Sequence, residues 1–200
     1  MANDVGVSTQ LLAKLELGHG DTRLLLIFQL CVLLARYLGM RPSQVWNNLI
    51  PPEMYNGFED VREYATSKLG SLHTQGGNQR AKRRFLARGA AKTEPEELLE
   101  SISFYRFQQL FARSNYSQVD LSLITGISER RLNYLFAISA EKTGQLSLKI
   151  FLRLAAALAP VYGASIRDTA YYLVENDLAR LDAFDQARRL KTDVKRRQNS

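Results

Sequence analysis

The residues with the most chemical content sit together in one short stretch, YSQVDLSLITGISERRLNYLFA, at positions 116–137. Gln118, Ser128, Glu129, Arg130, Arg131, Asn133 and Tyr134 are its polar groups with recognition chemistry. An arginine can donate two hydrogen bonds to O6 and N7 of guanine, and a glutamate can accept one from N4 of cytosine. Contacts to phosphate set register rather than sequence.

No bond-making set accompanies them. Cys31 lies within an apolar run with no acid or base close by in sequence, the setting of an inert buried thiol. His19 and His73 lack the paired spacing of metal ligands. Gly76-Gly77 is not followed by the Gly-Lys-Ser/Thr of a phosphate-cradling loop. Glu96 and Glu97 stand at an expected helix start, where the positive end of the helix dipole accounts for them. The chain is expected to be neither an enzyme nor a metalloprotein, and no cofactor is expected.

For the polar groups of 116–137 to face one partner, two short helices must meet at a sharp bend. Ser117 is the expected cap of the first, and Val119, Leu121, Ile124 and Ile127 its apolar contacts. Ser122 is small where the second helix must cross closely. Gly126 stands where the chain needs a left-handed residue, a conformation that costs glycine little. Ser128 then caps the second helix, whose inner face carries Leu132 and Leu135. Glu129, Arg130, Arg131, Asn133 and Tyr134 are left for the outside.

The surrounding pattern predicts only helices. The first runs over about 22–38, capped by Asp21 and closed by Gly39, and is apolar nearly all round. A helix of that kind is enclosed by neighbours or by a second subunit, so 24–34 is either plain core or a dimer surface. Helices follow at 42–49 and about 58–69, the latter stopped by Gly70. Another starts at Thr93-Glu94-Pro95 and runs to about 113 through Leu98, Leu99, Ile102, Phe107, Leu110 and Phe111. Ser147 opens the next, which Pro160 is expected to end. The last spans about 165–189, with Ile166, Ala170, Tyr171, Leu173, Val174, Leu178, Leu181 and Phe184 at helical spacing, before a basic tail. No stretch alternates as a strand hairpin does, and the class is all-α.

The stretch 116–137 resembles the helix-turn-helix of the phage Cro and repressor family. There the first helix opens with Ser/Thr-Gln, the turn reads Gly-Ile-Ser or similar, and the second helix enters the major groove. The likeness extends to 104–114, similar to the family's first helix, and to LSLKIFLRLAAAL at 146–158, similar to the helix that closes the domain. It covers residues 104–162, under a third of the chain. The resemblance implies a lambda-repressor-like domain with an added C-terminal helix, preceded by a helical region. By position, Gln118 corresponds to the phosphate-contacting glutamine, and Glu129, Arg130 and Tyr134 to the base-reading positions. Arg131 and Asn133 fall toward the DNA backbone or groove edge, and Ser128 opens the helix. The chain departs from the family at Thr125, where a large apolar residue is usual, and in a longer connection at 137–146 that carries Lys142, a candidate phosphate contact.

Bulk composition sets the outer limits. The 200 residues are 46% hydrophobic and 24% charged, as in an ordinary globular protein, and the net charge of +7 favours a polyanionic partner. One cysteine excludes an intramolecular disulfide. The N-terminus lacks the basic start and apolar run of a signal peptide, and the apolar run at 24–35 falls short of the roughly 20 residues that span a bilayer. A cytoplasmic, non-membrane protein is expected. Residues 71–92 hold Arg80, Lys82, Arg83, Arg84, Arg88 and Lys92 with no acidic residue, which fits either a solvated linker or an arm that neutralises phosphates. The tail residues Lys195, Arg196 and Arg197 share that ambiguity.

The expected organisation is a helical region at 1–75 for dimerisation or partner binding, a basic linker at 76–93, a DNA-binding domain at 94–190 and a basic tail at 191–200. The expected function is a sequence-specific transcriptional regulator, acting as a homodimer on double-stranded DNA. A bacterial, phage or mobile-element source is implied by the resemblance alone. The alternatives are a plasmid, conjugation or replication accessory factor using the same helices, and a helical interaction protein that does not bind DNA.

Overall fold

A computed structural model describes residues 22–69, 105–137 and 146–198 of the chain. Asp21, Gly70, the helix start at Thr93, the basic residues Arg80, Lys82, Arg83, Arg84, Arg88 and Lys92, and Lys142 lie outside the described residues. Within them the fold is all-α. The helices are α1 (Leu24–Leu38), α2 (Pro42–Leu49), α3 (Pro52–Asn56), α4 (Glu59–Leu69), α5 (Tyr105–Arg113), α6 (Gln118–Thr125), α7 (Glu129–Ala137), α8 (Leu148–Tyr162) and α9 (Ile166–Gln198). None of them is long and apolar enough to cross a membrane on its own.

Local chemistry sets most boundaries. Gly39 closes α1 in the left-handed region at φ 68°, its amide returning to Ala35 O. Pro42 opens α2, and the Gln44 side chain takes the Arg41 amide at 2.9 Å. Pro51 and Pro52 end α2 and start α3, a short helix that the sequence reading passed over although proline suits a first helical position. Two expected ends are corrected. Pro160 sits inside α8 rather than ending it, because the Gly163 and Ala164 amides return to Ala159 O and close the helix beyond the proline. The last helix does not stop at 189 but continues to Gln198.

The centre of the molecule is α8. Leu148, Phe151, Leu152, Leu154 and the run 155–159 are buried, and α4, α5, α6 and α9 pack around it. Phe28 of α1 and Phe151 of α8 enclose Trp46 of α2, with ring centroids at 5.5 and 6.1 Å and no exposure of the indole. Residues on both sides of the basic stretch contribute to this core. Ala65 of α4, fully buried, belongs to the same cluster as Leu121, Leu132 and Leu158. A short antiparallel bridge adds a backbone link, with the Leu24 amide donating to Leu146 O at 2.7 Å and the Leu148 amide to Thr22 O at 2.6 Å. Those bonds satisfy first-turn amides of α1 and α8 that have no partner inside a helix.

Around α9 the packing turns polar. Asp182 accepts from the Ser43 amide at 3.0 Å and the Ser43 hydroxyl at 2.6 Å. One turn on, buried Asp185 accepts from Arg36 Nε at 3.0 Å and Arg189 Nε at 2.6 Å. Arg189 also donates to the carbonyls of Ala35, in the last turn of α1, and of Met40, just beyond its Gly39 cap. Phe184, expected in the core, is only half-buried, and the inward position beyond Leu181 belongs to Asp185. Near the start of α9, the Arg106 guanidinium lies over the Tyr172 ring at 4.5 Å, bonds Asn176 at 3.0 Å and pairs with Glu175.

Candidate nucleic-acid interface

The unit α6–turn–α7 is held from its first residue. Ser117 accepts from the Asp120 amide at 3.1 Å, and the Asp120 carboxylate accepts from the Ser117 amide at 2.7 Å and its hydroxyl at 2.6 Å. This reciprocal cap satisfies two orphan donors and puts a negative charge at the positive end of α6. Gln118, half-buried, is the first residue of that helix. Behind it the buried Tyr116 phenol donates to Ala65 O at 3.2 Å and so ties α6 to α4. Burial, with a smaller contribution from Asp120, pushes that phenol up to about 12, so it stays a donor.

At the bend Gly126 has φ 66°, and its amide returns to Ser122 O at 2.8 Å. Thr125, the departure from the family pattern, has a local use. Its hydroxyl donates to Leu121 O at 2.6 Å and accepts from the Ile127 amide at 3.3 Å, so a buried polar side chain is satisfied within the turn it helps to close. Ile127 is buried, and Ser128 Oγ accepts from the Arg131 amide at 3.4 Å to begin α7.

Two faces of α7 then separate as expected. Leu132 and Leu135 are buried, while Ser128, Glu129, Arg130, Arg131 and Asn133 are exposed. The Tyr134 side chain lies outside the described residues. At nine residues α7 is roughly 13 Å long, two and a half turns that present the exposed polar side chains on one side. The exposed face carries two guanidiniums and one carboxylate, a balance that suits a polyanion without excluding a base donor.

Two features differ from the sequence reading. Val119 was expected among the apolar contacts but is 49% exposed, and Leu123 is 67% exposed; both point away from the buried Leu121 and Ile124. Arg113, exposed at the end of α5 four positions before the α6 cap, was assigned no role. A basic residue in a last helical turn ordinarily reads as a dipole partner, so nothing local marked Arg113. Away from this face Cys31 is fully buried, and its thiol is pushed up to about 12, first by burial and then by the Asp182 carboxylate. Among the described residues no group of three or more His, Cys, Asp or Glu could hold a metal ion. Comparison with protein-family models, curated proteins and solved structures found no match for the chain.

Proposed function

We propose that the protein is a sequence-specific DNA-binding transcriptional regulator. The observation that carries this reading is the polar face of α7. Glu129, Arg130, Arg131 and Asn133 project into solvent from a helix that leaves a left-handed glycine turn. In this reading Gln118 and the first turn of α6 meet phosphate, Arg130 and Glu129 read bases, and Arg131 and Asn133 meet the backbone or groove edge. In this reading the protein acts in the cytoplasm, and as a homodimer because two-fold DNA sites pair with two-fold proteins.

The test is selection from random duplexes with the purified full chain. Enrichment of a palindromic site, bound about a thousandfold more tightly than a scrambled duplex, is the expected result. Failure to enrich any sequence, with affinity that barely responds to salt, removes the reading. An enriched site far from any promoter transfers the protein to the accessory-factor class. The exposed pair Val119 and Leu123 favours one further reading, a helical adaptor whose contact is a protein. In that case Arg130→Ala leaves DNA affinity unchanged.

A further inference from the structure

We infer that Arg153 on α8 is a positioning residue that sets the angle at which α7 leaves its turn; the inference rests on α7 being the helix that meets DNA. Arg153 Nη1 donates to Thr125 O at 3.4 Å, and the same nitrogen lies 3.7 Å from where a Cβ on Gly126 would stand. Its guanidinium therefore backs the last residue of α6 and the first of the turn. The last carbonyls of a helix have no intrahelical partner and form its negative end, so a cation there serves both as donor and as charge.

The way the guanidinium is held argues for placement rather than chance contact. Leu152 and Leu154 on either side of Arg153 are buried, which fixes where its stem leaves α8. Its Nε is buried and has no hydrogen-bond partner among the described residues, so that edge has given up water without a replacement there. Such desolvation is unfavourable and must be offset by what the rest of the group does. The interaction described for the rest of the group is with the α6 terminus. Arg153 thereby joins the central helix of the core to the bend from which α7 departs, 28 positions earlier in the chain. Specificity then depends on a side chain that is not itself on the reading face.

The experiment compares Arg153→Met, Arg153→Lys and the parent chain by amide hydrogen exchange without DNA and by binding to the selected and scrambled duplexes. In the Met variant, amides at 127–132 are expected to exchange about tenfold faster while those of α1 and α8 stay within about twofold. Affinity for the selected duplex falls by about tenfold and that for the scrambled duplex by less than about twofold. The Lys variant, which keeps the charge, recovers both to within about threefold of the parent. Unchanged exchange at 127–132, equally faster exchange throughout the molecule, or a Lys variant no better than Met overturns the inference. Should the Met variant not fold, Arg153→Gln, which keeps a donor without the charge, takes its place. If the parent chain selects no duplex, the DNA reading fails while the exchange pattern still decides what Arg153 does.

Discussion

The Tyr116 hydroxyl and the Ala65 carbonyl meet at 3.2 Å across 51 positions of sequence. The first belongs to the residue before the α6 cap, the second to a helix of the chain's first half. Tyr116→Phe keeps the ring and removes only the donor, so it should destabilise the fold by about 1 kcal/mol. Urea unfolding measures this. An unchanged midpoint would assign the α4–α6 link to apolar packing alone.

Asp185 binds two arginines at once, and its side chain is only 4% exposed against 35% for Arg36 and 42% for Arg189. Asp185→Asn removes the buried charge and leaves two cations that can still reach water. The expected loss is therefore about 1–3 kcal/mol, below the roughly 3–5 kcal/mol of a broken, fully buried pair. A double-mutant cycle with Arg36→Met should show coupling, and additive losses would rule out a shared interaction.

Alkaline pH should weaken the protein through three buried groups. Burial pushes the phenols of Tyr55 and Tyr116 up to about 12 from 10.0, and the thiol of Cys31 up to about 12 from 9.0. The unfolded chain thus releases these protons at lower pH than the folded one. Their contribution is intact below about pH 9 and is lost as pH rises toward about 12. Within that window each group lowers stability by up to about 1.4 kcal/mol per pH unit. Thermal unfolding from pH 7 to 12 tests the sign, and Tyr116→Phe should flatten the slope. Stability that rises above pH 10 would contradict it.

Arg130 and Arg131 are adjacent and both exposed, yet the proposed reading gives them different roles. Arg130→Ala should cost about 1–3 kcal/mol on the selected duplex and relax discrimination at one base pair. Arg131→Ala should weaken all duplexes similarly and reduce the salt slope by about 1. Fluorescence anisotropy at several salt concentrations separates the two, and identical behaviour of both variants would remove the division of labour.

Much of the α6–turn–α7 unit was legible from residue types alone. The cap at Ser117, the left-handed Gly126 and the cap at Ser128 follow from interactions within four positions along the chain, and the inward side of Leu132 and Leu135 from their apolar spacing. Val119 was misjudged for a related reason. Its apolarity suggested contact, but on α6 it falls opposite Leu121 and Ile124, and only one face of that helix meets the core. Asp185 was missed because its partner Arg36 lies 149 positions away, and no local pattern marks a carboxylate as buried.

Residue order alone determines that the elements are helices, where the bend at Gly126 falls and which side of α7 is apolar, because caps, left-handed glycines and apolar spacing act between near neighbours. Tertiary structure decides that α4 buttresses α6, that α8 forms the common centre and that Arg153 stands behind the bend at Gly126. Those arrangements depend on which surfaces fit once the helices exist. Shape and desolvation at contacts between distant parts of the chain select them, and neither is written in a local stretch of sequence.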